Sequence, residues 1–296
     1  MSTDSTEVEF GETPEWKQFA SKWTIPDEIS PDLLLYHYTS TGAANSMFLS
    51  KQFWATYAKH SNDSTEFSHG IDLFIEEIKA FQFCFVSPNN RDLIEELIGF
   101  LTEEKTSPKI KPFIFCLSEL GDLLSQWRGY TPNSSGVAIG FQCKELEFDE
   151  FHTLKKVVYD DGTKRQRARS IIQEFDKLVQ GELAKFGNHI SPPHGRSLFF
   201  KLLQAIYVQA ACFKHEAFNE EKEWRIVIYC ADKSQILSRN RGIDLVLYTT
   251  WDFKASAVAS VVCGPKCSSS TNETLESLVD KKQFNFKIAR SSIPFQ

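Results

Sequence analysis

The chain lacks a long apolar run. No segment of its 296 residues reaches the roughly 18 uninterrupted apolar residues of a membrane-spanning helix, and the richest one, from Leu198 to Phe213, contains Lys201, Gln204 and Gln209. The first ten residues hold three acidic side chains and no basic stretch before an apolar core, so they lack the form of a secretory signal. These absences predict a cytoplasmic protein with no membrane partner.

Paired cysteines are also missing. The seven cysteines are scattered and most have apolar neighbours, a pattern typical of buried, reduced thiols. Only Cys263 and Cys267 lie close together, and no second pair or nearby histidine completes the ligand set of a zinc site. We therefore predict no metal.

The sequence has no excess of positive charge and no phosphate-binding glycine loop. Its formal net charge is -6, whereas nucleic-acid domains depend on concentrated Lys and Arg, so nucleic acid is not expected as the main partner. Gly136 and Gly140 flank one short strand and do not open a strand-to-helix turn. The sequence therefore supports neither a Rossmann fingerprint nor a P-loop.

The composition that is present is globular, with 42% hydrophobic and 24% charged residues. Runs of strand-forming residues bounded by turn residues predict strands over 33–39, 53–56, 113–118, 136–141, 223–229 and 257–263. Apolar residues spaced by three and four predict helices over 16–23, 43–49, 65–83, 91–104, 168–186 and 197–217. An exposed loop is expected over 187–195, and a polar connection over 126–130.

The order of these elements predicts an α+β fold, because strands and helices do not alternate as they do in a doubly wound sheet. We predict a helical extension over residues 1–30 and one α+β domain over 31–296. Two helical insertions are expected within that domain, at about 65–110 and 164–217.

The first group of candidate site residues ends the strand over 33–39. Because side chains alternate along a strand, His37 and Thr39 should face one side, and Tyr36 and Tyr38 the other. An imidazole and a hydroxyl on one face can hydrogen-bond a sugar or a phosphate. A histidine satisfied by packing in a half-buried strand is the alternative.

The second group is a pair of carboxylates, Glu221 and Glu223, at the entrance to the strand over 223–229. In extended chain the two residues project to the same side, about 6.5–7 Å apart at the backbone. Paired carboxylates suit glycosyl chemistry, in which one stays ionised and the other orients or deprotonates a nucleophile. A solvated charged turn is the alternative.

The third group follows the strand over 113–118. Trp127 and Tyr130 have rings that can stack on a planar ligand, and Ser118 can contact a ribose or an amide. Packing of Trp127 in the core is the alternative. No local arrangement of Ser, His and Asp, or of Cys and His, indicates nucleophilic hydrolysis.

These groups belong to a longer series of blocks between about residues 33 and 266. The blocks are Tyr36-His37-Tyr38-Thr39, Phe53-Trp54-Ala55-Thr56 with Asn62, Asp63 and Glu66, Cys116-Leu117-Ser118 with Gln126, Trp127 and Tyr130, Gly136-Val137-Ala138-Ile139, Lys214-His215 with Phe218, Glu221-Lys222-Glu223-Trp224-Arg225, and Val261-Val262-Cys263-Gly264-Pro265. In order and combined identity they resemble the bacterial family known as domain of unknown function 2971.

That resemblance implies a relationship to the ADP-ribosyltransferase superfamily, whose fold is a split β-sheet, flanked by helices, with the NAD cleft between its halves. It implies that His37-Tyr38-Thr39 stands where the superfamily has a His-Gly-Thr motif that holds NAD, with Tyr38 replacing the glycine. It also implies that Glu223 is the catalytic glutamate at the start of the fifth strand, and that Glu221 is the second carboxylate two positions before it.

The remaining implied contacts are with the same substrate. Tyr130, with Trp127 as the alternative, would stack on the nicotinamide of NAD, and Ser118 would contribute to the same binding site. The departure at Tyr38 removes the glycine that usually meets the nicotinamide amide.

The expected function is transfer of ADP-ribose from NAD to an unidentified protein or nucleic acid, as in a bacterial toxin or a phage-defence effector. An ionised Glu223 near the ribose would stabilise the oxocarbenium charge, and Glu221 would position the nucleophile. Two alternatives stay open, an NAD-hydrolysing enzyme of the same fold and a non-catalytic nucleotide-binding or protein-interaction module. The sequence leaves the oligomeric state open.

Overall fold

The computed structural model describes residues 13–61, 65–83, 91–106, 111–149, 151–186, 192–229, 233–241 and 243–294. The helices are α1 Pro14–Thr24, α2 Thr41–Ser50, α3 Glu66–Ala80, α4 Arg91–Thr106, α5 Leu124–Tyr130, α6 Asp161–Phe186, α7 Pro192–Ala210 and α8 Ser269–Asp280. The strands are β1 Leu34–Thr39, β2 Gln52–Tyr57, β3 Phe113–Ser118, β4 Val137–Gln142, β5 His152–Lys156, β6 Glu223–Ile228, β7 Leu237–Arg241, β8 Asp244–Asp252, β9 Val258–Cys263 and β10 Lys287–Arg290.

All of these strands belong to one open sheet flanked by helices, so the α+β class is confirmed. Its main path runs β10-β9-β4-β1-β3-β2-β8-β7, and β6 joins β3 to β5 outside that path. The pairs are antiparallel except for β9 and β10, which are parallel. Among the described residues, no helix is long and apolar enough to cross a bilayer.

The sheet forks at β3. One edge of β3 pairs along its whole length with β6. The other edge is shared, because β1 pairs with it at Ser118 and β2 pairs with it at Phe113 and Ile114. Beyond these contacts β1 continues into a ladder with β4, and β2 into a ladder with β8. The edge of β3 at Cys116 therefore faces a gap between two diverging branches.

Two hydrophobic clusters meet at β3 and β6. One cluster joins α1, α3, α6 and α7 to the sheet and contains Ile114 and Val227. The other lies between the two branches and contains Phe115 and Ile226. Because alternate residues of β3 and β6 face different clusters, both strands are buried on both sides, as their continuous apolar sequences predict.

Helix α1, in the predicted N-terminal extension, packs on the rest of the chain. Its aromatic side chains Trp16, Phe19 and Trp23 repeat at helical spacing and are buried in the cluster formed with α6 and α7. The indole nitrogen of Trp16 donates a hydrogen bond of 3.2 Å to Glu182. This helix is held by the domain core.

The strand count differs from the sequence prediction. Strands β5, β7, β8 and β10 were not expected, so Glu223 begins the sixth strand of the chain and not the fifth. Three of them carry weak apolar patterns: β7 and β10 are short edge strands, and in β5 two of the three buried residues, Thr153 and Lys155, are polar. Partly exposed strands do not need continuous apolar sequence.

Two helix predictions also require correction. The helix predicted over 197–217 ends at Ala210, because Phe213 forms a bridge with Val158 and stacks on Phe74 with a centroid distance of 5.9 Å. The loop predicted over 187–195 is wrong for residues 192–195, which begin α7. The polar connection over 126–130 is part of the helix α5.

Some predicted features lie outside the described residues. These are residues 1–12 of the extension, residues 187–191 of the loop, and Asn62, Asp63, Cys84 and Cys230.

Candidate functional site

Two of the three groups of candidate residues meet at the same end of the sheet. In the ladder between β3 and β6, Ser118 lies opposite Glu223, and Tyr36 of β1 lies opposite Ser118. Residues directly opposite in antiparallel strands project to the same face. Ser118 and Glu223 therefore share one face, on the side covered by α1, α3, α6 and α7. Glu221 lies outside the ladder, at the end of the 3-10 helix Glu216–Glu221, and not in the extended chain that the sequence predicts.

The two glutamates are bridged by one lysine. The ammonium Nζ of Lys214 lies 2.7 Å from Oε2 of Glu221 and 2.8 Å from Oε2 of Glu223. Lys214 follows the bridge at Phe213, so the early end of α7 is what brings its side chain to the carboxylates. Glu223 is only 3% exposed, which excludes a solvated charged turn at this position.

The charge network continues inward from Glu223. Arg225 Nε lies 2.6 Å from Glu223 Oε1, and its Nη2 lies 2.7 Å from Glu66 Oε2. Its Nη1 donates a hydrogen bond of 2.7 Å to the carbonyl of Ala211. Buried charges require such partners, since an unpaired ion in the interior is costly. Three carboxylates, counting Glu221, thus share two cations.

The two glutamates differ in their pKa values. Burial alone would raise the pKa of Glu223, but Arg225 and Lys214, with a hydrogen bond from the thiol of Cys116, hold it at about 2. Burial raises the pKa of Glu221, and the attraction of Lys214 offsets only part of that rise. Glu223 is therefore the permanently ionised member, and Glu221 is the member that accepts a proton more readily.

Four neighbours complete the site. The hydroxyl of Tyr159 accepts a hydrogen bond of 2.9 Å from the backbone N–H of Glu223. Gln126 of α5 hydrogen-bonds the side chain of Glu221. Burial raises the pKa of Tyr130, whose phenol also lies within electrostatic range of Lys214 and both glutamates. Burial likewise raises the pKa of Cys116, the thiol that donates to Glu223.

His37 lies on the opposite face of β1. Its ring stacks on Phe115 with a centroid distance of 4.0 Å, and its Nδ1 donates to the carbonyl of Cys116 at 2.9 Å. A carbonyl can only accept, so Nδ1 carries the proton. Burial lowers the pKa of His37 to about 4, which keeps the ring neutral at pH 7. Cys116 thus contacts His37 through its backbone carbonyl and Glu223 through its thiol. The imidazole and the carboxylate of Glu223 lie on opposite faces of the sheet.

The other expected NAD contacts are engaged within the protein. The hydroxyl of Tyr38 donates to the carbonyl of Leu120 at 2.7 Å and accepts from the N–H of Leu123 at 2.9 Å. Trp127 is 0% exposed, lies edge-on to Tyr38, and donates from Nε1 to Asp122 at 2.7 Å. These contacts attach α5 to β1. Trp127 is therefore packed in the core, which was the alternative to stacking on a ligand.

Ser118 and Thr39 are buried as well. The Ser118 hydroxyl donates to the backbone carbonyl of Glu221 at 2.7 Å and accepts from the N–H of Leu120 at 3.0 Å. Ser118 therefore fixes the backbone of the glutamate pair. Tyr130 is the aromatic residue of this group that keeps partial exposure.

An open cleft of about 530 Å³ lies beside α5. It is lined by Leu123, Leu124, Ser125, Arg128 and Gly129 of the α5 region, and by Glu220. This volume falls within the range of small-molecule sites. Glu220 directly precedes Glu221 in the chain, but neither Glu221 nor Glu223 lines the cleft.

Sequence reasoning missed Lys214, Arg225, Cys116 and Tyr159 as members of the site. Lys214, Arg225 and Cys116 belong to the sequence blocks that resemble the family, but no role was predicted for them. Their charges and hydrogen-bonding groups were the features that could have identified them. Among the residues that the structure describes, no three His, Cys, Asp or Glu side chains are grouped so that they could hold a metal ion.

Comparison with known proteins gives one family match. Residues 126–226 match the family described as Protein of unknown function (DUF2971). The matched span contains the glutamate pair, Lys214 and α5 from Gln126 onward, and it stops before the end of β6. This match supports the resemblance to that family. No curated protein and no solved structure matches the chain.

Proposed function

We propose, from the buried glutamate pair and the family match of residues 126–226, that this chain is an ADP-ribosyltransferase-like enzyme acting on NAD. It would transfer ADP-ribose to a macromolecular acceptor in the cytoplasm, in the role of a toxin or a defence effector. One observation carries the proposal: Glu221 and Glu223 share Lys214, yet their pKa values are shifted in opposite directions. Such a divided pair is the usual basis for assigning acid–base roles.

Glu223 supplies a fixed negative charge. When the bond between ribose C1′ and nicotinamide breaks, nicotinamide leaves with the electron pair and positive charge develops on the ribose. A preorganised anion stabilises that charge more than it stabilises the neutral sugar. Because Arg225, Lys214 and Cys116 already occupy its oxygens, Glu223 acts through its charge and does not accept a proton.

Glu221 supplies the base. The incoming nucleophile forms its bond to C1′ and loses a proton, which Glu221 accepts. Its raised pKa brings it closer to the operating pH, where a general base is most effective. Its neighbour in the chain, Glu220, lines the open cleft, which is the route that we assign to the acceptor.

The split-sheet fold belongs to the same proposal. The divergence of β1 and β2 at β3 supports it, because a single register pair, Tyr36 with Ser118, joins β1 to β3. Tyr130, partly exposed beside the glutamates, is the residue we assign to stacking on nicotinamide. Ser118 and Trp127 would act by positioning the glutamates and α5.

The test is incubation of the full chain with NAD labelled in the adenylate half, together with a cell lysate. We expect release of nicotinamide and transfer of label to protein or nucleic acid. Glu221→Gln should lower nicotinamide release by about 100-fold or more, because it removes the base. The matched control is Glu216→Gln, an exposed glutamate of the same 3-10 helix, which should leave the rate unchanged.

Equal rates for the Glu221 variant and wild type would remove Glu221 from the mechanism. Label recovered only as free ADP-ribose would identify an NAD hydrolase in place of a transferase. Stability is measured alongside, since a fully folded Glu221→Gln is needed for the comparison.

A non-catalytic nucleotide-binding module is the second candidate. The observation that favours it is the separation of His37 from the glutamates onto opposite faces of the sheet. NAD binding without nicotinamide release, in the presence of every lysate fraction, would establish this candidate and reject the enzyme.

A further inference from the structure

A second polar site lies on the branch formed by β2, β8 and β7. The guanidinium of Arg239 is centred 5.4 Å from the ring of Trp54 and 5.2 Å from the ring of Tyr248. Its Nη2 donates a hydrogen bond of 2.9 Å to Oγ1 of Thr56. Thr56 lies opposite Tyr248 in the ladder, so the two side chains share a face that Arg239 reaches from the edge strand. All four residues are partly exposed.

Arg239 has no counter-ion among the described residues. Its hydrogen bond goes to a neutral hydroxyl, and its Nε is buried without a partner. Burial lowers the pKa of Arg239; the nearby Tyr248 offsets part of that effect, and the charge of Arg241 lowers the pKa further. By contrast, Arg165 and Arg225 are paired with glutamates. Arg239 is thus a partly desolvated cation beside two aromatic rings, and a buried charge that meets no counter-ion in the described part of the chain costs free energy unless an anion binds.

We infer that Arg239, which lies against the neighbouring rings of Trp54 and Tyr248, is a binding site for a phosphoryl group. The guanidinium presents planar N–H donors that match the oxygens of a phosphate, and its orientation is fixed before the ligand arrives. Apart from the bond to Thr56, the terminal N–H groups of Arg239 make no hydrogen bond to the described residues, and they are the donors left for a phosphoryl oxygen, because Nε is buried. A second cation, Arg241, adds to the local positive charge.

This site is linked to the glutamates through two residues. The charge of Arg239 contributes to the lowered pKa of His37, so the two side chains lie within electrostatic range. His37 donates to the carbonyl of Cys116, and the Cys116 thiol donates to Glu223. The next step rests on the proposed function: with NAD as the substrate, the phosphoryl group is the diphosphate of NAD. Free nucleotides and inorganic diphosphate share the same chemistry.

The experiment is calorimetric titration of the full chain at low salt with inorganic diphosphate, ADP and NAD, each as a separate probe. We expect ADP to bind wild type and to bind Arg239→Gln at least tenfold more weakly. The matched control is Arg290→Gln, an exposed arginine on β10 at the far end of the sheet, whose affinity should stay within twofold of wild type. Binding of diphosphate alone, with the same dependence on Arg239, would identify the phosphoryl group itself as the ligand.

Folding of each variant is checked by circular dichroism. If Arg239→Gln does not fold, Arg239→Lys decides, because it keeps the charge and loses the planar fork; at least threefold weaker ADP binding is expected. The site is overturned if no probe binds wild type, or if the arginine variants bind ADP as wild type does. ADP binding that depends on Arg239, without any cleavage of NAD, would support this site and reject the proposed function. Cleavage of NAD that is unaffected in Arg239→Gln, with no ADP binding, would do the reverse.

Discussion

Lys214 decides the behaviour of two acidic side chains. Its ammonium lies within 2.8 Å of oxygens from both Glu221 and Glu223. All three side chains are buried, so water does not solvate their charges. Attraction from Glu223 is the main influence that keeps Lys214 protonated despite its burial, and raises its pKa. Removing one partner of such a buried pair leaves the other partner uncompensated.

Lys214→Met should therefore lower the free energy of unfolding by about 3–5 kcal/mol. Adding Glu221→Gln to it should restore part of the loss, because one of the two stranded carboxylates is then neutral. Urea denaturation at pH 7 measures both. Lys144→Met, at an exposed lysine, is the control and should change stability by about 0.5 kcal/mol or less. A double variant no more stable than Lys214→Met would show that the lysine does not couple to Glu221.

At the scale of elements, α3 and α7 approach each other closely at a glycine. A Cβ atom built on Gly70 of α3 would lie 2.8 Å from the backbone of Ala210 in α7. The approach positions both ends of the charge network, since α3 begins with Glu66 and α7 is followed by Lys214. Glycine at this point is a packing requirement, whereas Gly99 of α4 has open space around it.

Gly70→Ala and Gly99→Ala should have opposite effects on stability. The first forces the two helices apart and is expected to cost about 1–3 kcal/mol. The second adds helix propensity on an exposed surface and should stabilise by about 0.5–1 kcal/mol. Thermal unfolding of the two variants beside wild type gives the comparison. Equal shifts of the same sign would mean that α3 and α7 can separate at no cost.

For the molecule as a whole, the fork at β3 is the organising feature. Both hydrophobic clusters include residues of β3 and β6, so the helical layer and the two sheet branches are built on the same pair of strands. Within the gap the carbonyl of Cys116 accepts from the ring of His37. A neutral imidazole therefore closes the point at which the branches separate.

This closure predicts a loss of stability in mild acid. The folded-state pKa of His37 is about 4, below the 6.5 of an unfolded chain, so the unfolded state takes up the proton first. The contribution of His37 to the free energy of unfolding is complete above pH 6.5 and is lost as the pH falls towards 4. It is on the order of 2 kcal/mol for a half-buried ring. Urea midpoints at pH 7, 5.5 and 4 measure it. His37→Phe keeps the stacking and cannot titrate, so its midpoints should fall less over this range; parallel curves would contradict the assignment.

Much of the framework could be predicted from local sequence. The continuous apolar runs of β3 and β6 and the aromatic repeat of Trp16, Phe19 and Trp23 mark elements buried by hydrophobic patterning, which needs no knowledge of partners. The prediction that Glu221 and Glu223 project to one side of extended chain is wrong, because Glu221 ends a 3-10 helix and Lys222 adopts a left-handed backbone. The two carboxylates meet at Lys214. Edge strands such as β7 could not be predicted, because partial exposure removes the apolar pattern.

What the sequence by itself determined is which segments must be buried, since hydrophobic periodicity is a local property. Only the tertiary structure decided which charges meet. Arg225 and Glu66 are 159 positions apart in sequence, and His37 reaches the carbonyl of Cys116 from 79 positions away. The state of each glutamate then depends on these distant neighbours and on burial. A pKa is set by the three-dimensional surroundings of the group, so the division of the pair into an ionised Glu223 and a more basic Glu221 exists only in the folded chain.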